Sequence, residues 1–156
     1  MSEKKQSDAP ALRRALPIWM SLLILLATMV VASLVDAAIV GIAELAGVPS
    51  SSSGLNASVF ITFTVLGLLG AYGGWRLIRR VTRRPARVLS IVVPMALALS
   101  WIPDISLGLG GDSVGGVITL MTMHLAVAAL AVVACSIIAP VTERKRAEPA
   151  SSVLPA

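Results

Sequence analysis

The amino-acid sequence predicts an all-α integral membrane protein: a four-helix bundle made of two hairpins, with its N and C termini cytoplasmic. Three observations carry that prediction. Hydrophobic residues make up 56% of the 156 and charged residues only 13%, against about 45–50% and about 25% in soluble domains. The excess lies in four apolar runs, at about 15–41, 55–75, 86–102 and 114–139, each near the roughly 20 residues that cross about 30 Å of hydrocarbon. Finally, all thirteen Lys and Arg fall outside these runs or at their edges, in three clusters.

Those clusters set the topology. Lys4, Lys5, Arg13 and Arg14 precede the first run, and Arg144, Lys145 and Arg146 follow the last. Between the second and third runs lies WRLIRRVTRRPAR, residues 75–87, with six arginines: Arg76, Arg79, Arg80, Arg83, Arg84 and Arg87. The other two loops hold no basic residue, only Glu44, Asp104 and Asp112. Basic loops stay on the cytoplasmic side, so both termini and the arginine hinge are expected there, in a multi-pass membrane protein. The net charge of +5 does not imply nucleic acid, because each cluster flanks an apolar run and no aromatics interleave as in a base-stacking platform. Anionic lipid headgroups around the six hinge arginines are the expected partners, with a membrane protein partner or a second copy of the chain also compatible.

Along the chain, residues 1–12 read as a disordered cytoplasmic segment, 13–140 as the membrane domain and 141–156 as a disordered cytoplasmic tail. The uncharged stretch from Ala15 to Val35 exceeds the 7–15 residues of a signal-peptide apolar core, so the first run reads as a retained span. VPSSSSG, residues 48–54, is turn chemistry, with Ser53 or Asn56 available to cap the second helix. In that helix Gly67, Gly70, Ala71 and Gly74 recur at three- and four-residue spacing, which predicts a face for close helix packing within the chain. Pro85 suits a first helical turn. Pro94 is expected to kink the third span and free the Ser90 carbonyl, and Trp101, Pro103 and Asp104 to mark its far end. The acidic, Gly-rich loop DISLGLGGDS lacks the GK[ST] ending of a phosphate-binding loop. Asp112 or Ser113 is placed to cap the fourth span.

Few residues inside the spans carry chemistry. His124 lies ten residues into the fourth span, near the membrane centre, where an ionisable group is a functional-site hypothesis by default. Its helical face includes Ser113, Val117, Ala128, Ala131 and Cys135. One reading makes it a neutral imidazole bonded to a neighbouring helix; the other gives it a ligand or a proton to handle. Asp36, about five residues before the expected end of span one, should reach water more easily than His124. Asp104 is expected at the interface itself. All three lie in the outer half, so a shared polar cavity in which Asp36 or Asp104 orients His124 is geometrically open. No metal site or cofactor is expected. A single His is too few, and Cys135, the only cysteine, lies eleven residues away, about 16 Å along the axis. Asp36 and Glu44 are offset by 68 from Asp104 and Asp112, as Gly47 is from Gly115, a pattern that a duplicated hairpin would leave.

The arginine-rich hinge after span two, the WIPD element closing span three and MTMHL inside span four resemble a family of small four-span bacterial membrane proteins of unestablished function. The resemblance covers about Arg13 to Pro140. It implies an all-helical four-span fold and supplies no activity, cofactor or catalytic residue.

Two classes of function follow. One is a non-catalytic protein that binds a lipid or lipophilic ligand, or supports a membrane complex. The alternative is a membrane-embedded isomerase or cyclase acting on a terpenoid or polyketide, with His124 as the catalytic acid or base beside Asp36 or Asp104. The feature that discriminates between the two is whether His124 and an Asp line one cavity large enough for a ligand.

Overall fold

The computed structural model describes residues 16–49, 51–52 and 54–141. The expected N-terminal tail and all but the first residue of the C-terminal one lie outside them. Four helices follow in chain order: α1 (Ile18–Leu45), α2 (Ala57–Val81), α3 (Pro85–Leu109) and α4 (Val114–Ile138). There is no strand among the described residues, and each helix is long and apolar enough to cross a membrane. At 1.5 Å per residue, 25–28 residues span roughly 37–42 Å, the hydrocarbon and part of each headgroup layer.

The helix ends follow local chemistry. Asn56 caps α2 by accepting from the Ser58 amide at 3.0 Å, and Ser113 caps α4 by accepting from Gly116 at 3.0 Å. Ser53, the other candidate for α2, lies outside the described residues. Pro85 opens α3. Gly47 and Gly111 close α1 and α3 with φ of 91° and 100°, a left-handed turn only glycine enters cheaply. Beside them Val48 N bonds Ala43 O at 3.0 Å and Asp112 N bonds Leu107 O at 3.1 Å, covering carbonyls the helices leave free.

Two boundaries differ from expectation. Helix α2 continues beyond Trp75 to Val81, taking in Arg76, Arg79 and Arg80; arginine is a good helix former, and positive charge favours a helix C-terminus. More important for the site, α3 does not stop at Ile102 but runs through Pro94 and Pro103 to Leu109. A proline forfeits one backbone bond, whereas unwinding 103–109 would expose several unpaired backbone groups beside 25-residue neighbours in lipid. Asp104 is therefore inside a helix and buried, rather than beyond the end of the span.

Helix α4 is central and touches all three others, α1 most extensively; α1 and α3 are not neighbours, and α2 meets α3 most thinly. In the middle, Leu25, Ala32, Leu68 and Ala131 form a core from α1, α2 and α4. At the arginine end, Trp75, Leu89, Cys135 and Ile138 pack together, and the Trp75 indole donates to Ala139 O at 3.1 Å. At the opposite end, the loop end, Val40, Phe60, Leu120 and Met123 cluster, and Ser52 and Ser113 hydroxyls tie the two loops at 2.9 Å.

The glycine face of α2 is not a packing face within the chain. A Cβ built on Gly67, Gly70, Gly73 or Gly74 meets nothing within 4 Å. Close approach occurs instead at Gly115, where a Cβ would lie 2.7 Å from Val48 Cγ2. The offset of 68 likewise fails beyond the acidic pairs: Gly47 sits in a left-handed turn while Gly115 is inside α4.

Candidate intramembrane site

Asp36, Asp104 and His124 line one cavity of about 600 Å³ in the loop half of the bundle. Three helices wall it. Phe60, Phe63, Thr64 and Gly67 come from α2, Ser100, Pro103, Asp104 and Leu107 from α3, and Leu120, Met123, His124 and Val127 from α4, with Asp36 reaching in from α1. Most of this wall is apolar. Phe63 and Leu66 are exposed on the outer surface as well as lining the cavity, so the seam between α2 and α3 is open toward lipid.

The imidazole is held from one side. His124 Nδ1 is 2.9 Å from the carbonyl of Leu120, one turn back on its own helix, and 3.1 Å from Asp104 Oδ2 across the α3–α4 interface. Both neighbours are acceptor oxygens, so the proton belongs on Nδ1, where it avoids setting lone pair against lone pair. The N–H lies along the Leu120 direction, and Asp104 Oδ2 receives no aligned hydrogen bond although it is buried. The other ring nitrogen, Nε2, is left for whatever enters the cavity. Of the two aspartates, Asp104 is the one in contact with the ring.

Asp36 takes a different place. It is fully buried, 0% exposed, whereas the His124 side chain is 37% exposed. Helix α1 runs to Leu45, so Asp36 lies nine residues from the helix end, about 13 Å of rise. The Thr64 hydroxyl donates to Asp36 Oδ2 at 2.6 Å, while Oδ1 is buried without a hydrogen-bond partner. Thr64 was not anticipated. A threonine in a span normally bonds its own helix, as Thr62, Thr119 and Thr122 do here, so nothing local distinguished it.

The arginine end is different. A notch of about 90 Å³ is lined by Leu16, Ser21, Tyr72, Arg76, Arg79 and Ala139. Arg76 Nη1 donates to the Tyr72 hydroxyl at 2.9 Å. Arg76 and Arg79 are half-buried, while Arg80, Arg83, Arg84 and Arg87 are exposed. Among the described residues no His, Cys, Asp and Glu groups assemble as a metal site. Cys135 is buried among apolar side chains.

The fold defines a multi-pass membrane protein of four helices long and apolar enough to span, with Asp36, Asp104 and His124 on one cavity. The chain belongs to a family of unknown function, DUF6069, whose model matches residues 18–142, from the first residue of α1 to just past α4. No curated protein and no solved structure matches it.

Proposed function

We propose that this protein binds a lipophilic molecule in the cavity between α2, α3 and α4, from within the membrane. The observation that supports this reading is convergence. Buried Asp36 and Asp104 and the partly exposed His124, on three different helices, line one cavity of ligand size. Burying an ionisable side chain in hydrocarbon costs several kcal/mol, and a bundle that needed only rigidity would spread or omit such groups. A volume of about 600 Å³ lies within the roughly 300–1,000 Å³ typical of small-molecule sites, and its mostly apolar wall with few polar groups is the usual composition. His124 Nε2 is the polar anchor in this reading, and the open α2–α3 seam is the entry path.

The test is native mass spectrometry of the protein released from mild detergent, beside His124→Ala. A discrete bound mass in the wild type that His124→Ala loses while keeping its thermal transition supports the reading. A stoichiometric protein partner without any small molecule makes the chain an accessory subunit. Loss of the folded bundle in His124→Ala makes the histidine a structural lock.

One observation favours a catalytic variant of this reading. Asp104 Oδ2 lies 3.1 Å from Nδ1, a carboxylate beside the ring as at acid–base sites, and in this variant Nε2 exchanges a proton with a substrate. An isomerase or cyclase acting on a terpenoid or polyketide then uses His124 as the catalytic residue, Asp104 as its positioning partner and Asp36 as a second cavity acid. In that case the molecule extracted from a His124→Gln protein differs in structure from the wild-type one at equal mass, which chromatography of the extracts resolves.

The basic clusters complete the proposal. Arginines at one end and none in the opposite loops orient the arginine end to the cytoplasm of a bacterial cell. There the half-buried Arg76 and Arg79 meet anionic phospholipid headgroups.

A further inference from the structure

Resting on the ligand reading above, we propose that the cavity's occupant is a cation: a protonated alkylamine with its ammonium between Asp36 and Asp104 and its chain along the α2–α3 seam. Two carboxylates line this cavity, each more than nine-tenths buried. On each, one oxygen receives no hydrogen bond, Oδ1 of Asp36 and Oδ2 of Asp104. An unmet buried acceptor on a potential anion is among the least comfortable groups a protein encloses, and the deficit here occurs twice around one space. The only basic group in the wall is the single imidazole. With both carboxylates ionised, two negative charges are in excess beside a neutral ring and one beside a protonated ring.

Nothing else in the described chain supplies the missing positive charge. Every described arginine belongs to the hinge end, the nearest following Thr64 by twelve residues, about 18 Å along α2. A protonated amine supplies both what is missing in charge and N–H donors for the two orphaned oxygens. Phe60 and Phe63 add aromatic surface of the kind that attracts cations. A fatty acid brings charge of the wrong sign, and a long-chain alcohol has one donor for two acceptors. A bare divalent ion finds no cluster of ligating groups among the described residues.

The experiment uses the full chain in phosphatidylcholine nanodiscs, titrated near pH 7 with dodecylamine, 1-dodecanol and dodecanoate, with retention counted by native mass spectrometry against empty discs. Dodecylamine is expected to bind at least tenfold more tightly than dodecanol, with dodecanoate weakest. Asp36→Asn and Asp104→Asn are each expected to erase that preference, and Asp104→Glu to keep it. Thr64 can still donate to an asparagine carbonyl, so Asp36→Asn leaves the packing intact; folding is checked by circular dichroism. Equal binding of amine and alcohol, unchanged in the Asn variants, overturns the inference while the lipophilic-ligand reading survives. Dodecanoate binding best overturns it too. If none of the three binds above empty discs, both readings fall.

Discussion

The seam between α1 and α4 and the seam between α2 and α3 differ in how they use similar sequence. Both pair helices from different hairpins, and both contain an aspartate near the loop end. Along α1–α4 the wall is small and close: Ala32, Ala131 and Ala134 are buried, and Leu68 of α2 fills the middle at 1% exposure. Along α2–α3 the helices are joined at the arginine end through Trp75 and Leu89 against α4, then parted by the cavity toward the loops. The difference teaches where the buried polar groups can be afforded. A filled seam gives rigidity through dispersion contacts, since lipid is as apolar as the side chains and no hydrophobic effect separates them. An unfilled seam forfeits those contacts, and in this chain the space it leaves is where the ionisable groups gather.

The contrast breaks if truncation costs the same on both seams. Leu68→Ala empties the filled core and is expected to cost about 2–5 kcal/mol, whereas Phe63→Ala, on the exposed cavity rim, should change stability by no more than about 0.5 kcal/mol. Thermal or SDS unfolding in detergent reads both; equal losses would mean that the α2–α3 seam is closed in solution. Next in size is Gly115→Ala, which sets a Cβ 2.7 Å from Val48 Cγ2 and should destabilise by about 1–3 kcal/mol through overpacking. Gly70→Ala, facing open space, is expected to be neutral or to gain up to about 1 kcal/mol of helix propensity. If Gly70→Ala is the damaging one, the exposed glycine face is an interface after all. A modest effect sharpens the account of the joined end: Trp75→Phe removes the indole bond to Ala139 O and should cost about 0.5–1.5 kcal/mol, without altering what the cavity binds.

Helix number, order and loop placement were legible because four apolar runs and three basic clusters state them in composition alone. The caps were legible too, since Asn56 and Ser113 are short polar residues directly before apolar runs. His124 and Asp36 stood out as rare groups in a span, and Asp104 as an acid just past the end of one. What the residues did not reveal is lateral packing. The small face of α2 reads the same whether it meets a helix or lipid, because glycine carries no chemistry that distinguishes them. Helix extent misled similarly at Pro103, where the local cost of a proline was outweighed by the backbone bonds that a continued helix keeps. Asp36 and Asp104 were placed nearer to helix ends than they are because α1 and α3 run on to Leu45 and Leu109. Thr64 as the partner of Asp36 depends on rotation of α2 against α1, which no local pattern carries.

The central claim is that the unfilled α2–α3 seam exists to hold a molecule. Gly67 lines the cavity and has nothing within 4 Å of a built Cβ, so Gly67→Phe places a ring in the space without displacing a packed side chain. Native mass spectrometry of wild type and Gly67→Phe, extracted identically, tests the claim most directly. The account predicts a bound small molecule in the wild type, its loss in Gly67→Phe, and a thermal transition in the variant at least as high as in the wild type. An equally occupied Gly67→Phe protein, or a wild type that emerges empty and gains stability from the filling ring, would contradict it.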